Sequence, residues 1–226
     1  MNRQQYLMGV KAGAPVIFGF IPVGIAYAIM AQQAGFSISE IILMSVMVFA
    51  GASQMMASGM LMQGAGLIAV ILATFILNLR HLIMSTCVFN KMVESSMAKR
   101  LLASFGVTDE SFALFTTAND DTNSSSYFLG MITVTYSSWV IGSAIGAFAT
   151  EILPNILSKS LGISLYAMFI ALLMPSVRGN TRLGLLVCLT GLVNFALTFI
   201  IALSWALIIA TLSCAWIGTY FIKDEQ

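Results

Sequence analysis

Charge is what this sequence has least of. Of its 226 residues, 8% are Asp, Glu, Lys or Arg, against about 25% in an average soluble domain. Residues 12–39, 41–79, 122–150 and 183–222 contain none. No polar stretch is long enough to make a soluble domain. The net charge of +1 leaves no basic stripe to neutralise phosphates, which excludes a nucleic-acid role. Cysteine is also scarce. Cys87, Cys188 and Cys214 are scattered, odd in number and spaced like no metal site. They read as small polarizable packing residues, and neither a metal nor another cofactor is expected. No cleavable leader is expected either, because MNRQQYLMGVKAG is polar and no small-residue cleavage site follows a short apolar core. The first apolar segment is therefore expected to stay as a membrane helix.

What the chain does have is long apolar runs, 59% hydrophobic residues in all. About 20 such residues cross a bilayer as a helix, so the longest runs hold two crossings each. The expected fold is an all-α polytopic membrane protein, one transmembrane domain over residues 1–226. Its segments fall near 12–34, 41–62, 66–90, 101–119, 126–149, 160–177, 183–201 and 203–222. Two differ from the rest. Segment 41–62 is interrupted by FAGASQ, Phe49 to Gln54, and segment 101–119 carries GVTDESF at its centre. Six to eight membrane segments are expected, with broken or re-entrant helices near 49–54 and 105–110.

Charge placement gives an independent test, since cytoplasmic loops collect Lys and Arg. Arg3 and Lys11 precede the first segment, and Lys91, Lys99 and Arg100 follow the third. Arg178 and Arg182 follow the sixth, and Lys223 follows the last. If all eight segments span, these clusters fall on both sides. If 41–62 and 101–119 re-enter, all of them fall on one side. Irregular backbone at membrane depth needs protein or water to satisfy it, and in secondary transporters such breaks build the substrate site.

The candidate chemistry centres on NLRH. Read as part of one helix over 66–90, Thr74, Asn78, His81 and Ser85 share a face. Arg80 lies about 100° from His81, the only histidine in the chain. An arginine so deep costs roughly 2.5–3.5 kcal/mol on insertion scales and needs a partner or a wet cavity. Asn78 and Arg80 are candidate substrate ligands, and His81 a proton relay near neutral pH. Glu40 closes a Ser-x-x-Glu capping box with Ser37. Asp109 and Glu110 follow a potential N-cap, Thr108, and sit between phenylalanines. They either complement the helix dipole or face a substrate ammonium or coupling proton. In FAGASQ, Gly51 is expected to break the helix, freeing N–H groups near Ala52 to Gln54 to bind a carboxylate. Ser53 and Gln54 would add neutral hydrogen bonds. Gly142 and Gly146 form a GxxxG pair whose role is packing.

The runs PVGIAYAIMAQQAGFS, VFAGASQMMASGML, TFILNLRHLIMS and GVTDESFA, in this order over residues 10–120, resemble the AzlC family. Members are large subunits of branched-chain amino acid exporters of the bacterial cytoplasmic membrane. The resemblance implies export of valine-like substrates driven by an ion gradient, and a small membrane partner of the AzlD type. Two rivals are a passive channel for a small polar solute and an intramembrane serine hydrolase pairing Ser53 with His81. The second lacks another histidine or an oxyanion motif.

Overall fold

The computed structural model describes residues 2–93, 96–119, 122–149, 170, 173–174, 177–201 and 203–221. Among them the regular structure is helical, apart from an isolated bridge between Val93 and Ser124. The expected segment 160–177 and Lys223 lie almost wholly outside the described residues.

The first membrane helix begins earlier than hydropathy indicates. Asn2 accepts from Gln4 N and Gln5 N, so the polar start is already helical. Helix α1 (Arg3–Gly13) passes through a 3₁₀ turn at Ala14–Val16, where Pro15 sits, into α2 (Ile17–Gln33). The 31 residues Arg3–Gln33 and the 25 residues Ser125–Ala149 (α9) are long and apolar enough to cross a bilayer. These two run parallel and nearly touch. A Cβ on Gly24 would stand 3.0 Å from Trp139 O, and one on Gly142 or Gly146 only 2.7 Å from Ile21 O or Ile25 O. Small residues let backbones approach where lipid supplies no hydrophobic drive, as the GxxxG reading expects.

A third long stretch, Leu67–Lys91, also has spanning length. It is not one uninterrupted helix. Helix α5 (Leu67–Asn78) ends at a single turn residue, Leu79, and α6 (Arg80–Lys91) begins next to it.

Between these helices lie the two unusual segments, and both fold back. Helix α3 (Ile38–Val48) starts beside the C-terminal end of α2, where Phe36 N donates to Ala31 O. It starts with the expected capping box: Glu40 N donates to Ser37 Oγ, and Ser37 N to Glu40 Oε2. The helix then runs antiparallel to α2: Tyr27 donates to Ile41 O, and farther along Phe49 meets Phe20 with centroids 6.3 Å apart. Helix α4 (Gly51–Met62) returns toward Met30, whose Sδ is 3.9 Å from a Cβ placed on Gly59.

The second segment does the same from the other end of α9. Helix α7 (Met97–Phe105) begins near Phe89, over whose ring Arg100 lies at 5.9 Å. It reaches Tyr136 through Phe105 (5.7 Å) and turns where Gly106 packs on Ile132. Helix α8 (Asp109–Thr117) then retreats, setting Phe115 against Tyr127 and Phe128. Lys91 Nζ holds its C-terminal end by donating to Thr116 O and Ala118 O.

The protein thus contains two hairpins that enter from opposite ends and meet at their tips, Phe49 to Phe105 at 6.3 Å. Helices α10 (Thr181–Leu197) and α11 (Leu203–Phe221) pair with each other, and α11 also touches α5. Of the cysteines only Cys214 is buried; Cys87 and Cys188 are exposed, so packing explains one of the three.

Candidate functional site

The two hairpin tips and the turn at Leu79 enclose one cavity of about 40 Å³. It is lined by Ala50, Gly51, Ala52 and Ser53 from the first tip, and Thr108, Asp109 and Glu110 from the second. Asn78, Arg80 and His81 come from the turn, with Phe20, Val23, Phe49 and Trp139 on the remaining side. Three helix N-termini, those of α4, α6 and α8, therefore converge on one place.

Each tip is built by its own local chemistry. In the first, Phe49 is the left-handed residue (φ 39°) and Ala50 is non-helical (φ −134°, ψ 71°), so Gly51 opens the second half-helix rather than breaking the first. A non-glycine residue there costs about 1–3 kcal/mol. Buried ring contacts from Phe49 to Phe20, Tyr136 and Phe105 compensate. Gly51 has a different duty. A Cβ there would stand 2.7 Å from the Trp139 indole, so only glycine lets the tip lie against α9. No side chain caps α4, which leaves its positive end directed toward the cavity.

In the second tip, Gly106 leads to Thr108, which caps α8. Ser111 N donates to Thr108 Oγ1, and Thr108 N donates to Ser111 Oγ. Thr108 and Ser111 are buried, as is Gly106 against Ile132. Asp109 and Glu110 occupy the first turn as the sequence predicts. Asp109 also reaches across to α6, where its Oδ2 is 3.0 Å from an Arg80 terminal nitrogen. The Arg80 and Asp109 side chains are 34% and 29% exposed, so the pair is not sealed within the protein. This is the partner that a deep arginine requires.

Asn78 ties the first tip to the turn: its Nδ2 donates to Ser53 Oγ (3.1 Å), which donates to Ala50 O (2.9 Å). His81 Nδ1 lies 3.3 Å from Asn78 O. Among the described residues no hydrogen bond joins Ser53 to His81, and Ser53 directs its proton at a backbone carbonyl. The geometry of an activated nucleophile is not present. Two buried atoms of this group, Asn78 Oδ1 and Arg80 Nε, have no hydrogen-bond partner among the described residues.

Seven of the eight residues singled out in the sequence line the cavity: Gly51, Ser53, Asn78, Arg80, His81, Asp109 and Glu110. Gln54 does not. Its Oε1 accepts from Trp139 Nε1 (3.1 Å) and its Nε2 donates to Ser45 Oγ (3.4 Å), which donates to Ser143 (2.7 Å). Gln54 fastens the first hairpin to α9. Thr74 and Ser85, expected on the same face as His81, lie off the cavity, and Thr74 donates back to Val70 O. Arg80 and His81, consecutive at the start of α6, both line the cavity. Phe20, Val23 and Trp139 carry no sequence signal of a site; nothing separates them from other apolar residues until α2 and α9 are placed together.

These features define a polytopic α-helical membrane protein with a charged, hairpin-walled site inside it. The AzlC protein family profile matches residues 15–153, and the chain belongs to that family. It is similar to an uncharacterized membrane protein of Archaeoglobus fulgidus, 33% identical over 76% of each chain. It is also 30% identical to the inner membrane protein YgaZ of Escherichia coli, over 82% of this chain and 79% of the relative. A third relative is the branched-chain amino acid transport protein AzlC of Bacillus subtilis, 32% identical over 65% of this chain and 60% of that one. No solved structure matches.

Proposed function

We propose that the chain is the large subunit of a secondary transporter that exports branched-chain amino acids across the bacterial cytoplasmic membrane. In this reading it is coupled to protons and works with a small AzlD-type membrane subunit. The observation that carries the reading is the Arg80–Asp109 pair at the meeting point of two opposed hairpins. An α-amino acid is a zwitterion, with charges of the same two signs as that pair. Its carboxylate can replace Asp109 on Arg80 while its ammonium takes Asp109, so charge is conserved as the pair opens.

The uncapped N-terminus of α4 gives the carboxylate a second partner, with Ser53 and Asn78 beside it. Asn78 Oδ1 and Arg80 Nε supply an acceptor and a donor with unused capacity. Glu110, next to Asp109, is a second acidic acceptor for the ammonium or the coupling proton, with His81 as relay. The cavity of about 40 Å³ is far below the roughly 300 Å³ at which small-molecule sites begin. Substrate entry therefore requires one tip to withdraw, and hairpins entering from opposite ends supply a gate for each side.

The test is efflux of preloaded valine from cells lacking their own exporters. Accumulation of valine outside against its gradient, lost when protons are equilibrated, is the expected result. Efflux that only dissipates the valine gradient and ignores protons would make the chain a passive channel. Efflux independent of a co-expressed small subunit would remove the partner from the scheme.

A further inference from the structure

The cavity is two-faced. Every ionisable lining residue comes from the α8 tip or the turn at Leu79, whereas Phe20, Val23 and Trp139 form an apolar wall built by α2 and α9. Phe20 and Trp139 meet edge to face at 5.8 Å, Tyr27 stacks behind the indole at 5.8 Å, and Val23 is 2% exposed. This wall cannot recede. Next to Val23, a Cβ on Gly24 would stand 3.0 Å from Ser143 N and Trp139 O, so α2 is already at backbone contact with α9. Gly142 and Gly146 repeat that contact against Ile21 and Ile25.

A surface that measures a side chain has to be rigid, because a wall that gives way accepts the larger substrate. The polar face is made by tips that must part for substrate to pass. Only the α2–α9 face can keep its shape through that motion. We propose that Val23 and Phe20 are the residues that set which side chain is transported, with Trp139 as the back of that subsite. The inference rests on the proposed amino acid transport and adds what selects among amino acids. The charged face reads the ammonium and carboxylate common to all of them.

The measurement is the efflux ratio between amino acids loaded together: alanine, valine, leucine and phenylalanine. Within one variant this ratio is independent of how much protein reaches the membrane. Val23→Ala is expected to shift the leucine-to-valine ratio upward, and Phe20→Leu to raise phenylalanine relative to valine. A methylene in an apolar pocket is worth roughly 10-fold or more in discrimination. Val23→Ile should move the ratio the opposite way, toward alanine. Val70→Ala removes the same two methyl groups from a buried position away from the cavity and should leave all ratios as in the wild type. Export by the wild type with ratios unmoved in the Val23 and Phe20 variants overturns the inference and leaves transport standing. Absence of amino acid export by the wild type overturns the proposed function, and this assignment with it.

Discussion

The two hairpin tips both reverse the chain, with opposite chemistry. The first, Phe49 to Gln54, is neutral. It is stabilised by contacts outside itself: Gly51 against the Trp139 indole, Gln54 on the indole N–H, and Phe49 among three rings. Its own half-helix is uncapped. The second, Phe105 to Ser111, is charged and fixed from within, by the Thr108–Ser111 capping box and a glycine at the bend. Its acids have already used the favourable helix end. A tip that depends on its neighbours leaves its backbone donors free for an anion. A tip that completes its own cap leaves its carboxylates free for a cation. In the proposed mechanism this asymmetry orients a zwitterion, with Arg80 completing the carboxylate end.

Substitutions at the two tips should separate these roles. The largest effect is expected where the charged tip meets Arg80. Arg80→Ala leaves Asp109 without its partner and removes the cation proposed to hold the substrate carboxylate. A hydrogen bond to a charged group is worth about 1.5–3 kcal/mol, at least about 10-fold in export rate. Membrane abundance measured alongside should change little, and wild-type export by this variant would remove Arg80 from the mechanism.

At the neutral tip the effect should fall on stability first. Gln54→Leu leaves the Trp139 N–H buried and unpaired, a loss of about 1–3 kcal/mol. The aggregation temperature of the detergent-solubilised protein should drop clearly, whereas it should stay near that of the wild type in Arg80→Ala.

Gly51→Ala forces a methyl group against the indole, at about 1–3 kcal/mol for overpacking. Pairing it with Trp139→Leu should recover part of the loss in the same thermal assay. Additive losses would mean the indole is not what Gly51 accommodates. The smallest effect belongs to the self-contained tip. Ser111→Ala breaks its capping box for about 1 kcal/mol, and export should fall only a few-fold.

Much of this was legible in the sequence, for identifiable reasons. Charge-free runs over 20 residues long have only one stable answer in a bilayer. The breaks at FAGASQ and GVTDES announce themselves because small, polar and acidic residues are costly at membrane depth. Positive charge placement asked both segments to re-enter, and contacts with α2, α6 and α9 bring both back to the level at which they start. The capping box at Ser37 and the N-cap at Thr108 are local chemistry and were readable as such. Illegible features depend on partners distant in the chain. The left-handed residue is Phe49 because rings from α2, α7 and α9 pay for it. Gln54 faces away from the cavity because Trp139 lies 85 positions on. The interruption at Leu79 has no glycine or proline to mark it.

The sequence by itself determined that this is a membrane protein, where its two hairpins turn, and which few polar residues lie deep enough to need a reason. Local propensity and the cost of burying charge decide those matters within a few turns of chain. The tertiary structure alone decided that Arg80 of the third long stretch meets Asp109 of the second tip. It alone decided that a wall of ordinary apolar side chains faces them. Those relations depend on how closely α2 and α9 approach and where two opposed hairpins end, which are set by packing between segments.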